Sequence, residues 1–182
     1  AEPLCDPFCG TGTLLIEAAL IQTKTAPGLM RKVESFPVVR WCKAMAQALS
    51  EERQRAESLQ DLTVRAPITG IDIDPACIAM AKSNATRAHM ADRIVFTCRD
   101  VRALELTPQF YVANPPYGER MGSESESFQL IQSFTRRLKH EAAGSRLGLI
   151  LPVGPLEKCV GFKPNKRVKT KSAPLELALL YF

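Results

Sequence analysis

A chain of 182 residues, 46% hydrophobic and 24% charged, has the balance of a soluble globular protein and the length of one domain with a sizeable core. Disordered and fibrous classes are excluded; no apolar run nears the ~20 residues of a membrane span, and no basic-then-apolar leader opens the sequence. The net charge of +5 gathers toward the C-terminal third, where Arg136, Arg137 and Lys139 precede Lys163, Lys166, Arg167, Lys169 and Lys171; a polyanionic partner and ordinary solvated faces account for it equally well.

Leu4-Cys5-Asp6 reads as the end of a strand that runs through Pro7-Phe8-Cys9-Gly10-Thr11-Gly12 into an apolar helix from Leu14 to Ile21. A strand so close to residue 1 suggests that a preceding domain is missing. Pro27-Gly28 breaks the helix, and Arg40 to Leu59, with Trp41, Met45, Ala48, Leu49 and Ala56 on recurring faces, reads as a polar-surfaced helix within an insertion at about 25–66. Ile68 to Ile73 is a short buried strand; Asp74-Pro75 then supplies an N-cap and a first-turn proline for a helix over Ala76 to Ala88. Strands follow at Ile94 to Cys98 and Phe110 to Ala113, a helix at Phe128 to His140 and a strand at Arg146 to Leu151. Arg167 to Lys171 and Leu175 to Phe182 are joined by three residues only, too few for a helical crossover, so they must form an antiparallel hairpin. The alternation predicts an α/β fold: a mostly parallel sheet covered on both faces, with one antiparallel strand added at the end.

In such a sheet a ligand binds beyond the carboxyl ends of the strands, where glycines let it approach the backbone. Gly10 and Gly12 occupy that place, with no Gly-Lys-Ser/Thr to make a phosphate loop. A dinucleotide fingerprint needs a third glycine at position 15, which is Leu, and Asp6 would repel a diphosphate. A carboxylate there suits a cationic ligand such as S-adenosylmethionine, with its ammonium and sulfonium; the alternative is a turn cap. Asp72, ending the second strand, can accept from both ribose hydroxyls, although it lies sixty residues beyond Gly12 where a dinucleotide site expects about 20. Ile73 is placed to pack on adenine. Asp100 can accept from an adenine amino group, with Val101 offering its N–H; a simple loop acid is as good a reading.

Asn114-Pro115-Pro116-Tyr117 closes a hydrophobic strand with two prolines that fix the backbone. The Asn114 side-chain carbonyl and the Pro115 carbonyl can both accept from a planar NH2 group and aim its lone pair at an electrophilic methyl. Tyr117 can stack on the base. A turn would also use Asn and Pro. Six cysteines (Cys5, Cys9, Cys42, Cys77, Cys98, Cys159) are too scattered for a disulfide scaffold, so a reducing, cytoplasmic location is expected; with only His89 and His140 beside them, no metal site is expected.

Asp6-Pro7-Phe8-Cys9-Gly10-Thr11-Gly12 and Asn114-Pro115-Pro116-Tyr117 together resemble the cofactor and catalytic signatures of the amino methyltransferases of nucleic acids, and the resemblance covers nearly the whole chain. Asn114 through Gly118-Glu119-Arg120, Ala26-Pro27-Gly28-Leu29 and the Lys169 to Leu175 segment look like the bacterial 23S rRNA guanine-N2 methyltransferases, which carry an RNA-binding THUMP domain upstream. The resemblance implies a Rossmann-like class I methyltransferase with a seven-stranded sheet. It also implies S-adenosylmethionine contacts at Asp6, Phe8, Gly10, Gly12, Asp72, Ile73, Asp100 and Val101, catalysis at Asn114, Pro115, Pro116 and Tyr117, and ribosomal RNA as substrate. One departure is Val33-Glu34-Ser35-Phe36-Pro37, where family members often carry a Phe-Gly-Phe-like stretch. The rival readings are adenine-N6 methylation of DNA or RNA, a non-catalytic RNA-binding module and, remotely, a nicotinamide enzyme.

Overall fold

The structure, a computed structural model, describes residues 2–63, 66–117, 124–172 and 175–182. Seven strands form one sheet: β1 (Leu4–Asp6), β2 (Ile68–Asp72), β3 (Ile94–Cys98), β4 (Phe110–Ala113), β5 (Arg146–Pro152), β6 (Lys166–Ser172) and β7 (Leu175–Tyr181). Their order is β3-β2-β1-β4-β5-β7-β6. β7 alone runs antiparallel to the first five, pairing Gly148 with Tyr181 and Pro152 with Leu177 on one side and the whole of β6 on the other. The predicted α/β class and closing hairpin are both present.

The helices are α1 (Thr13–Gln22), α2 (Lys43–Ser58), α3 (Pro75–Arg87), α4 (Glu124–Glu141) and the short α5 (Pro155–Lys158). Period-2 alternation in the strands divides the core into two layers. Leu4, Ile68, Ile94 and Phe96 face α1 and α3, packing with Leu15, Ala19, Ala81 and Ala85. Cys5, Ile71, Tyr111, Ala113, Leu147 and Leu149 face α4 and α5, packing with Ile131, Phe134, Leu138 and Leu156. Asp74 caps α3 as expected, accepting from the Ala76 N–H at 2.8 Å with Pro75 in the first turn.

The segment between α1 and β2 departs from its sequence reading. The predicted helix from Arg40 begins only at Lys43, with the Cys42 thiol accepting from the Met45 N–H at 3.4 Å. Pro37–Arg40 forms a separate 3-10 turn, and Trp41 lies outside the helix, 71% exposed. No residue of α2 is buried. It is held instead by Arg53, whose guanidinium donates to the carbonyls of Gly28 (2.7 Å), Leu29 (3.2 Å) and Arg31 (3.1 Å). The segment is rooted at the foot of α1, through the Asp61 N–H on Thr23 O (2.8 Å) and Gln22 on Ala66 O (3.2 Å). Among the described residues no helix is long and apolar enough to cross a membrane.

Candidate active site

β1 is the switch point of the sheet: it pairs with β2 on one side and β4 on the other, all parallel. The carboxyl ends of β3, β2, β1 and β4 therefore lie side by side at one edge, carrying in that order Asp100, Asp72, Asp6 and Asn114. This is where an open sheet accepts a ligand. Nearly all the residues singled out in the sequence converge here from segments far apart in the chain.

The turn after β1 is built from both sides. The Cys9 N–H donates to Ile71 O (2.9 Å), the Gly12 N–H to Cys9 O (2.8 Å) and the Gly10 N–H to Asp72 Oδ2 (2.8 Å). Gly10 and Gly12 have φ of +51° and +84°, a left-handed backbone that costs glycine little. A side chain added at Gly10 would meet nothing within 4 Å, so that peptide faces open space; at Gly12 it would press on Phe96 and Ala81. Gly10 is thus where a ligand can approach the backbone, and Gly12 is where α1 settles on the core.

Asp6 is 2% exposed. Its Oδ1 accepts from the Phe8 N–H at 3.0 Å, as a turn cap would. The other oxygen has no partner among the described residues and is not sealed off. Burial pushes this carboxyl up to about 7, the Phe8 N–H pulls against that, and the charge of Asp72 raises it further. Burial, then Asp6, also pushes the Cys5 thiol up to about 12, and burial raises Cys9. Both cysteines are neutral packing groups rather than nucleophiles. Phe8 packs edge-on against Phe134 at 5.5 Å between centroids.

Asp72 differs in detail from its sequence reading. Besides Gly10 it accepts from the Asp74 N–H on Oδ1 at 2.9 Å, so each oxygen holds one backbone donor and keeps a lone pair for a ligand. Ile73, just beyond β2, is 62% exposed, a bare apolar surface beside that carboxylate. Asp100 is committed elsewhere: it caps the 3-10 turn Val101–Ala103 and holds the Arg102 guanidinium at 2.6 Å and 2.9 Å, which keeps its carboxyl below its ordinary value. Here the loop-acid reading describes the contacts seen. Val101 is buried.

Asn114 follows β4 directly and is exposed, with no side-chain hydrogen bond among the described residues. Ala113 before it and Pro115 after it are buried and Tyr117 packs partly against the core, so the open amide is anchored on both sides. Gly118-Glu119-Arg120 lies outside the described residues.

Three supporting residues escaped the sequence reading. Gly70 in β2 faces Leu15 and Phe96 so closely that an added Cβ would sit 2.6 Å from one and 2.7 Å from the other. Asn84 of α3 donates to Thr11 O at 2.9 Å, bracing the glycine turn from the far side. Arg137 of α4 reaches the loop after Asp100, donating to the carbonyls of Val101 (3.0 Å), Arg102 (3.0 Å) and Leu104 (2.6 Å). A polar residue on an otherwise packed helix face is the only signal that could have found the last two.

With this geometry in view, the comparisons with known proteins fall into line. A family model described as the RMKL-like methyltransferase domain matches residues 1–179. A ribosomal RNA large subunit methyltransferase K/L of Shewanella frigidimarina is 38% identical over 95% of this chain, and one of Vibrio parahaemolyticus is 33% identical over 96%. This chain spans only 25% of the length of each. Among solved structures, a predicted N6-adenine-specific DNA methylase from Listeria monocytogenes is 33% identical with a TM-score of 0.80, over 98% of this chain and 46% of its own. The protein SMU.472, complexed with SAH, is 25% identical with a TM-score of 0.84, over 100% of this chain and 48% of its own.

Proposed function

This chain belongs to the RMKL-like methyltransferase domain family, and on that premise we propose that it transfers a methyl group from S-adenosylmethionine to the exocyclic N2 amino group of a guanine in 23S ribosomal RNA. The observation that carries the reading is the adjacency of β1 and β4, which sets the buried, half-satisfied Asp6 carboxylate and the open glycine turn beside the free amide of Asn114.

The donor set fits S-adenosylmethionine, which when bound supplies an electrophilic methyl on a positively charged sulfur. The free oxygen of Asp6 would accept from its ammonium, and the remaining lone pairs of Asp72 would accept from the ribose hydroxyls. Gly10 admits the ligand to the backbone, Phe8 and Gly12 hold the turn, Ile73 covers the adenine, and Asp100 with Val101 borders it. A base amino group is a poor nucleophile because its lone pair is delocalised into the ring. Two acceptors, the Asn114 carbonyl and the Pro115 carbonyl, hold both N–H bonds and favour the pyramidal form, with Pro116 stiffening the backbone and Tyr117 stacked on the base. Held so, the base nitrogen would take the methyl that S-adenosylmethionine supplies when bound, the C–S bond pair would stay with the departing thioether, and one amino proton would pass to water. The target base must be unstacked or single-stranded.

An rRNA transcript incubated with labelled S-adenosylmethionine should yield N2-methylguanosine by nucleoside mass spectrometry. Asn114→Ala should lower kcat by about a hundredfold or more, the scale of losing one preorganised polar group, with RNA affinity nearly unchanged. Full activity in that variant overturns the mechanism. Adenine-N6 methylation is the second reading, favoured by the description of the Listeria relative; N6-methyladenosine as the sole product would establish it instead.

A further inference from the structure

The charge of this molecule is sharply divided. Residues 129–171 contain ten of its 24 Lys and Arg but two of its 19 Asp and Glu, a net of +8, so the rest of the chain is −3. Both of those acids are already taken, Glu141 by Arg137 at 2.7 Å and Glu157 by Arg167 at 2.7 Å. Arg136, Lys139 and Lys163 are exposed and make no ion pair among the described residues.

These three cations line a groove. The buried face of α4 presents Ile131, Phe134 and Leu138 to the core. Its opposite face, at helical spacing, presents Gln132, Ser133, Arg136 and Lys139 to a trough of about 740 Å³ closed by the 159–162 turn. A second trough of about 350 Å³ continues it past Lys139 and Phe162, which line both, to Lys163. The Lys139 ammonium stands 5.9 Å from the centre of the half-exposed Phe162 ring.

We propose that this groove binds the sugar-phosphate backbone of the RNA substrate, leading the strand away from the base held at Asn114. The inference rests on the RNA-methylation reading above. A row of cations interleaved with amide and hydroxyl groups and the rings of Phe162 and Phe182 is what a nucleic-acid strand requires: charge for phosphates, hydrogen bonds for sugars, a ring face for a base. Protection of a sheet edge explains the lysines of β6, but Arg136, Lys139 and Lys163 are on no strand. The helix carrying Arg136 and Lys139 begins at Glu124, after the Asn114 turn in the chain, and ends near Ser145, whose hydroxyl accepts from the Gln109 N–H just before β4, so the groove runs toward the end of the sheet away from Asn114.

The test is the salt dependence of binding to a short oligouridylate by the full chain. The triple variant Arg136→Gln, Lys139→Gln, Lys163→Gln should lower the slope of log K against log salt by about 2, given about 0.7 per phosphate contact on a single strand. Its KM for RNA should rise, with affinity for S-adenosylmethionine unchanged. Lys32→Gln, Arg40→Gln, Lys43→Gln removes the same charge from the α1–β2 segment and should leave the slope as it was. An unchanged slope in the first variant, an equal loss in the second, or no binding of oligouridylate by the unaltered chain overturns the groove. Failure of methyl transfer with the slope still lowered would instead refute the catalytic reading and leave the groove standing.

Discussion

Asp6 is where burial and charge conflict most directly. With its carboxyl pushed up to about 7, the free protein holds a proton there that an unfolded chain would release near its usual value. Burial of the neutral acid therefore adds stability that is complete below that value and is lost as pH rises through about 7. A cationic ligand reverses the preference, because it needs the ionised form. Affinity for S-adenosylmethionine should accordingly rise with pH, by about fivefold from about pH 6 to about pH 7 and approaching about tenfold per pH unit below that range, as up to one proton is released on binding. Calorimetry in two buffers of different ionisation heat would detect that proton. Asp6→Asn should abolish the slope, weaken binding and raise the melting temperature of the free protein above pH 7; a variant that keeps the pH slope would show another group responsible. The candidate site is legible in the sequence as far as residue types go, since Asp6, Gly10, Gly12, Asp72 and Asn114 are of types whose chemistry permits the proposed roles. What was hidden was commitment to partners: Asp100 spends its carboxylate on Arg102, and Asp72 also braces a turn 62 residues away. Rotamers and long-range contacts decide such matters, and no local pattern records them.

At the scale of elements, α4 does more than cover the sheet. Through Arg137 it fixes the loop that borders the proposed adenine site, while Glu141 holds the other edge of the same guanidinium at 2.8 Å and 2.7 Å. Arg137→Met should leave three carbonyls short of a donor, costing about 1–3 kcal/mol in charged hydrogen bonds. KM for S-adenosylmethionine should rise several-fold while kcat at saturation is kept. Arg137→Lys should recover only part of this, because a single ammonium cannot span three carbonyls as the planar fork does. Equal effects on cofactor and RNA constants would reduce Arg137 to a structural role. Long periodic or strongly punctuated elements were readable: the capped α3, the hairpin, the buried strands. The start of α2 was not, because the run from Pro37 to Trp41 shares the apolar spacing of the helix but turns as a 3-10 segment before Cys42 caps it. α5 has four residues, too few to leave any period.

For the whole molecule, local alternation predicts a parallel sheet with a closing hairpin and the resemblance implies seven strands, but strand order depends on crossovers that no local pattern records. The basic groove was equally invisible as a unit, since α4 and the 159–163 turn meet only after β5 has crossed the sheet between them. Strand order also makes a prediction. β7 is hydrogen-bonded along both sides, whereas among the described residues β6 pairs with β7 alone. A chain stopped after residue 174 should therefore lose the cooperative thermal transition and aggregate, which light scattering during a melt would report; a sharp, soluble transition would show the hairpin to be dispensable. The same arrangement bears on birth. During synthesis β6 emerges before β7, the strand it pairs with, and β5 lacks that neighbour until residues 175–181 have cleared the ribosome. Nascent chains should thus pass through an interval with an adhesive sheet margin, and the lysines of β6 place charges that would oppose edge-to-edge pairing during it.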